Sequence, residues 1–186
     1  MTDALHRTLD DLAAFLDDRR VPFAVINGIA VGVRGEPRFT ADVDVILGID
    51  LDGADTLVEA LDASAFRPLF PDVAEVVRAA FILPVRHRET QIKVDMSIGL
   101  TGFERQLIRR ATKIKLGSQP IPVATAEDMI LLKLLASRPR DTDDAARIVA
   151  RQQTALDWNF LVETAKALQE AVAQDIVSPL MQMRSE

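Results

Sequence analysis

An α/β (α+β) core followed by a helical region is the fold the sequence predicts, and three observations predict it. Short apolar runs bounded by turn residues alternate with helical periodicities up to residue 124. From Thr125 onward only helical patterns remain. Over 186 residues, 48% are apolar and 27% charged, which is enough apolar surface to build a packed core. The expected organisation is therefore an α/β core over 1–124 and a helical region over 125–186.

The elements follow in order. Leu5, Leu9, Leu12 and Leu16 fall on one face of a helix over 3–20, with Asp10, Asp11, Asp17 and Asp18 mainly opposite and Pro22 as its stop. Phe23–Ile26 reads as a buried strand, and the small-residue stretch after Asn27 as a short helix closed by Gly35-Glu36-Pro37. Val43–Ile49 begins with alternation and is a strand; Ala54, Leu57, Val58 and Leu61 mark a helix over 51–63. Phe66–Phe70 is a short strand containing Pro68, and Pro71-Asp72 opens a short helix to Ala79. Ala80–Val85 and Gln91–Ile98 form two strands, with Arg86 to Thr90 as a hairpin tip that should leave His87 exposed. A helix over 101–111 precedes short strands at 112–116 and 119–123 around Gly117-Ser118. Thr125 and Asp128 form a capping pattern ahead of a helix through Leu135. Arg138-Pro139-Arg140 breaks it, Asp141 opens a helix to about Gln152, and Asp157 opens a third, packed at its start by Trp158, to about Gln174.

Composition excludes several classes. The absence of cysteine removes disulfide scaffolds, zinc fingers and thiol nucleophiles. Two histidines, His6 and His87, are too few for a histidine-rich metal site, and neither is assigned a role. The longest apolar run, Ala79 to Val85, is far shorter than a membrane span. The acidic, helix-periodic N-terminus does not resemble a secretory signal, so the expected compartment is the cytoplasm. The net charge of −6 is unevenly spread. Thr40 to Glu75 holds nine acids against one base, whereas Thr101 to Pro120 holds five bases against one acid. The basic block, Arg105, Arg109, Arg110, Lys113 and Lys115, is either a solvated face or a surface for a phosphate backbone.

Chemistry concentrates between Asn27 and Val45. Gly28 follows directly on an apolar strand, where a missing Cβ allows close approach of a phosphate to the N–H groups opening the next helix. Asp42 and Asp44 are two apart at a strand start, so both carboxylates share one face. A later strand, Gln91-Ile92-Lys93-Val94-Asp95-Met96, adds a third acid. Converging carboxylates repel unless a cation neutralises them, and Mg²⁺ prefers such oxygen ligands and brings nucleotide phosphates with it. Each part has an ordinary alternative: Asp-x-Asp as turn chemistry, Thr40 as a local backbone hydrogen bonder, and Asp95 paired with Lys93 or an arginine.

The series apolar strand, Gly28, short helix, Gly35-Glu36-Pro37-Arg38-x-Thr40-x-Asp42-x-Asp44 resembles the nucleotidyltransferases of the DNA polymerase β superfamily. More narrowly, it is similar to AbiEii-like nucleotidyltransferases, the toxin components of type IV toxin–antitoxin systems. The helical stretch from Ala126 to Asp144, with Lys133, Arg138, Asp141 and Asp144, extends the likeness to about residues 20–150. The resemblance implies a mixed sheet flanked by helices, the C-terminal region completing the cleft. It implies two-metal transfer of a nucleotide monophosphate from a nucleoside triphosphate. Asp42, Asp44 and Asp95 would be the catalytic acids and Mg²⁺ ligands. Asn27, Gly28, Arg38, Thr40, Lys133, Asp141 and Asp144 would bind nucleotide. The implied acceptor is RNA, in particular a transfer RNA, reached through the basic block, and the implied partner a cognate antitoxin. A protein acceptor, modified with AMP, and a fold that binds nucleotide or a partner protein without turnover are the alternatives. The chain departs from the family at Asn27, where a glycine is usual; Asn tolerates unusual backbone angles better than most residues. Asp141 to Asp144 also has the form of an ordinary helix start, and Lys133 that of a lysine snorkelling from an apolar helix.

Overall fold

The computed structural model describes residues 2–36 and 40–185, as two compact units, Met1–Ile29 with Phe39–Ala124, and Ala30–Arg38 with Thr125–Glu186. The first unit is built on a seven-stranded mixed sheet. Its strands are β1 (Phe23–Ile26), β2 (Asp42–Leu47), β3 (Phe66–Pro68), β4 (Ile82–His87), β5 (Lys93–Ile98), β6 (Thr112–Lys115) and β7 (Pro120–Val123), in the order β3-β4-β5-β2-β1-β7-β6. β2 and β5 run parallel, as do β1 and β7; the other neighbours are antiparallel. β2 is thus the central strand, and its Val43, Val45 and Leu47 are wholly buried on one face, alternating with Asp42 and Asp44 on the other.

Helix α1 (Asp3–Asp17) buries the predicted leucines Leu5, Leu9, Leu12 and Leu16, and Thr2 caps its start by accepting from Leu5 N–H. It stops before Pro22 is reached. Arg20 takes a left-handed φ of 55°, and Val21 N–H donates to Leu16 C=O at 2.9 Å, satisfying a terminal carbonyl. The polar side of α1 is also engaged. Thr8 and Thr90 hydroxyls meet at 2.7 Å, and both Asp10 carboxylate oxygens accept from Ser118 N–H at 3.0 Å.

His87 is the clearest correction. It ends β4 instead of standing at an exposed tip, and it is 1% accessible. Its Nδ1 accepts N–H bonds from Glu89 and Thr90, so the ring proton resides on Nε2 and is donated to Asp11 at 2.8 Å. Phe66 packs edge-on against the ring, 5.3 Å between centroids. The histidine organises the turn between two strands, a role that its polarity conceals in sequence.

The first unit also holds α3 (Leu51–Ala60), α4 (Val73–Ala80) and α5 (Gly102–Arg110). Thr101 and Glu104 close a reciprocal capping box on α5. The helix α2 (Asn27–Arg34) follows β1 without a spacer. The second unit contains α6 (Ala126–Ala136), α7 (Pro139–Gln152), α8 (Trp158–Val172) and α9 (Val177–Ser185). Met129, Ile130, Leu131 and Leu134 are all buried, so α6 is apolar nearly all round and forms the centre of its unit. Trp158 opens α8, and the Arg184 guanidinium lies 5.2 Å from its ring centroid. α9 has no counterpart among the predicted elements; its short sequence, VSPLMQMRS, has little periodicity to reveal it.

Candidate active site

The acid face is assembled by strand register. In the parallel pair β2–β5, Asp44 lies beside Asp95 and Asp42 beside Lys93, so all four side chains leave the same face at the middle of the sheet. The third acid, spaced by half a hundred residues from the pair, is brought to them by a crossover that sequence spacing alone does not specify.

The carboxylates themselves are not drawn into one cluster. Among the described residues, no three acidic or imidazole side chains are gathered as a ready-made metal site. Asp95 is turned instead onto Lys93, with Oδ2 2.6 Å from Nζ. Its other oxygen, Oδ1, is buried and has no hydrogen-bond partner. An orphaned carboxylate oxygen is costly in a protein interior, and it fits an incoming cation. Asp42, Asp44 and Asp95 thus leave one face with one carboxylate oxygen unsatisfied, which is the donor chemistry a hard divalent cation takes.

Asn27 and Gly28 sit at the strand–helix turn. Ile26 is the register partner of Asp44, which places that turn level with the first residues of β2. Asn27 has a left-handed φ of 50°. A residue tolerant of that region is required there, and Asn meets the requirement in place of glycine. Gly28 is constrained differently. A Cβ at this position would lie 2.5 Å from Thr40 Oγ1 and 3.0 Å from Thr40 Cβ. The space that a phosphate was expected to use is thus bordered by Thr40, whose hydroxyl reaches Asp42 C=O at 3.2 Å and Asp42 Oδ1 at 3.4 Å. Gly28, Thr40 and Asp42 form one packed unit, so the glycine also positions an acid. Arg38 lies outside the described residues.

Within the helical unit, Lys133, Asp141 and Asp144 cluster. Lys133 is 4% accessible, and its Nζ donates to Asp141 at 2.8 Å and stands 3.5 Å from Asp144 Oδ2. Arg138, largely exposed, also donates to Asp141. Burial pushes the Asp141 carboxyl up, but the hydrogen bonds and charges of Lys133 and Arg138 outweigh it and hold the carboxyl below its usual range. Asp141 does not cap α7. The helix begins at Pro139 with Arg138 at the cap position, which leaves the Asp141 carboxylate for the ion pair. Lys133 does not snorkel; it is an internal counter-ion for two acids.

Of the basic block, Arg105 and Arg109 border a groove of about 470 Å³ together with Ile108, Gly48, Ile49 and Asp50. Lys113 and Lys115 are exposed on β6. No helix among the described residues is long and apolar enough to cross a membrane.

No family model and no curated protein sequence matches the chain. Solved structures do. An antigenic nucleotidyltransferase-like protein from Paracoccidioides brasiliensis is 16% identical with a TM-score of 0.55, covering 97% of this chain and 93% of its own. The antibiotic-resistance factor ANT(2'')-Ia, in a solution structure, is 14% identical with a TM-score of 0.57, covering 92% of this chain and 97% of its own. A crystal structure of ANT(2'')-Ia in complex with adenylyl-2''-tobramycin gives 14% identity and a TM-score of 0.52, with 97% of each chain covered. The fold is a nucleotidyltransferase fold. On this nucleotidyltransferase fold the acids occupy the two central parallel strands, and the turn with Asn27 and Gly28 ends the strand beside them.

Lys93, expected only as an ordinary partner for Asp95, joins the acids on this face. The signal was present: Lys-x-Asp on a strand puts both side chains on the acid face.

Proposed function

We propose that the chain is a Mg²⁺-dependent nucleotidyltransferase that moves a nucleotide monophosphate from a nucleoside triphosphate to an acceptor hydroxyl. The observation that carries this reading is the register of Asp44 with Asp95, with Asp42 on the same face, in a nucleotidyltransferase fold. Asp42, Asp44 and Asp95 would hold the cation, which supplies charge neutralisation and polarises the α-phosphate. Asp95 would act as cation ligand or as base; as base, its carboxylate takes the acceptor's proton as the hydroxyl oxygen bonds to the α-phosphorus and the bond to pyrophosphate breaks. Asn27 and Gly28 shape the phosphate turn, Thr40 fixes Asp42, and Arg38, Lys133, Asp141 and Asp144 belong to nucleotide binding directly or by holding their own unit in form.

RNA, with transfer RNA as the leading case, is the acceptor proposed. The support is the concentration of bases between Arg105 and Lys115 and the groove that Arg105 and Arg109 border. In the AbiEii-like version, transfer to RNA arrests growth and a cognate antitoxin protein relieves it. A cationic small-molecule acceptor is the second reading, favoured by the nine acids between Thr40 and Glu75 and by the adenylyl-tobramycin bound to ANT(2'')-Ia.

The test incubates purified protein and each α-labelled triphosphate with Mg²⁺ and transfer RNA, tobramycin or no added acceptor. Label on RNA that is lost in Asp42→Asn supports the leading reading. Label on tobramycin moves the acceptor to the second, and label on the protein itself to self- or partner-AMPylation. Absence of both transfer and triphosphate binding by calorimetry overturns nucleotidyl transfer.

A further inference from the structure

We propose that Lys93 is a built-in counter-cation that occupies the divalent ion's electrostatic place on Asp95 and gives it up when the ion binds. The proposal rests on the nucleotidyl-transfer reading and adds a residue to it.

Four observations converge. Lys93 is the register partner of Asp42 and lies two residues before Asp95 on the same strand, so its side chain leaves the sheet among the acids. Its Nζ binds Asp95 Oδ2 at 2.6 Å. The pair is unequal: the lysine side chain is 40% accessible and the aspartate 21%, so the lysine can swing to water while the acid cannot. Finally, Asp95 Oδ1 remains buried and unpartnered, so the lysine satisfies only half of the carboxylate.

A single ammonium is a point charge on a flexible stem, well suited to a reversible partnership. With no divalent ion it neutralises Asp95, which shares its face of the sheet with Asp42 and Asp44. A divalent cation with carboxylate ligands from two strands outcompetes it, and binding then includes the cost of breaking the Lys93–Asp95 pair. Lys93 is a positioning residue: it sets how tightly the acids hold a cation and in which direction Asp95 points beforehand.

The test is Mn²⁺ binding to the nucleotide-free protein, by calorimetry and by the rise in melting temperature. Lys93→Gln should bind Mn²⁺ about tenfold more tightly than the wild type, the amount expected when one charge-assisted hydrogen bond no longer competes. Lys93→Arg should return the affinity to the wild-type range. Lys93→Met removes the charge without leaving an amide and should match Lys93→Gln, which separates the charge effect from any local repacking. If the wild type binds Mn²⁺, Asp42→Asn loses it, and Lys93→Gln binds no tighter, the Lys93 proposal is overturned and the transfer reading stands. If neither wild type nor Lys93→Gln binds Mn²⁺ with or without ATP, both are overturned.

Discussion

Lys133→Met tests how the helical unit is held together. The substitution keeps the length and the apolar stem of the side chain and removes its charge. Lys133 and Asp141 have side chains 5% accessible, and Asp144 equally so, which makes this a buried charge cluster. Removing one member of such a cluster leaves an uncompensated carboxylate and costs about 3–5 kcal/mol. For a chain of this size each kcal/mol lowers the melting temperature by about 2–4 °C, so the expected fall is on the order of 10 °C. Arg138 still faces Asp141 but is 73% exposed on its side chain, and an exposed partner contributes about 1 kcal/mol or less. The loss should depend on pH with a definite sign. The Asp141 carboxyl is held below its ordinary value, so its contribution is fully present above the unfolded value, about 3.9, and is lost as pH falls through the lower folded value. The gap between wild type and variant is therefore widest near neutrality and closes below about pH 4. Combining Lys133→Met with Asp141→Leu should recover part of the loss, because the stranded charge is then absent. Thermal unfolding followed by circular dichroism at several pH values reads all of this. A loss below about 1 kcal/mol at pH 7 refutes the reasoning and returns Lys133 to the role of a free phosphate contact.

Other expectations are briefer. Asp42→Asn or Asp44→Asn should lower labelled-nucleotide transfer at least about a hundredfold while leaving the far-ultraviolet spectrum unchanged, since each removes charge from the reacting face only. Gly28→Ala forces a Cβ against Thr40 Oγ1 and Cβ, at 2.5 and 3.0 Å; it should destabilise by about 1–3 kcal/mol and reduce transfer by displacing Asp42, measured by denaturant unfolding and the same transfer assay. His87→Ala strands the Glu89 and Thr90 N–H groups and leaves a hole beside Phe66; a loss of about 3 kcal/mol is expected, and faster hydrogen exchange at Glu89 and Thr90 would localise it.

Much of the fold was legible because apolar spacing is a direct record of burial. The leucines of α1 and the alternation of Asp42 to Leu47 each state which side faces the core. Gly28, Asp42, Asp44 and Asp95 stand out in the sequence as candidates by type and order. What could not be read was pairing across the chain. His87 is polar and flanked by polar residues, and only Asp11 and two backbone N–H groups make its burial favourable. Asp141 looks like a cap, and only Lys133, eight residues away on another helix, shows why it is not one. Gly28 reads as a phosphate turn, and Thr40 as a local hydrogen bonder, until the missing Cβ of one is seen to admit the side chain of the other. In each case the deciding partner is distant in sequence or on a neighbouring element, where local patterns carry no information.

The strand order has a consequence for how the protein keeps to itself. A seven-stranded open sheet has two rims, and an unprotected rim invites another molecule's strand to add to it. Here the rims are β3 and β6. β3 is three residues long and ends in Pro68, which has no N–H to offer a newcomer. β6 carries Lys113 and Lys115, both exposed, whose charges would stack against those of an identical strand. The same lysines proposed to meet a phosphate backbone thus also discourage sheet-to-sheet association. Neutralising them to test acceptor binding would remove that protection, so such variants should be checked for aggregation by light scattering before any loss of binding is read as a loss of contact.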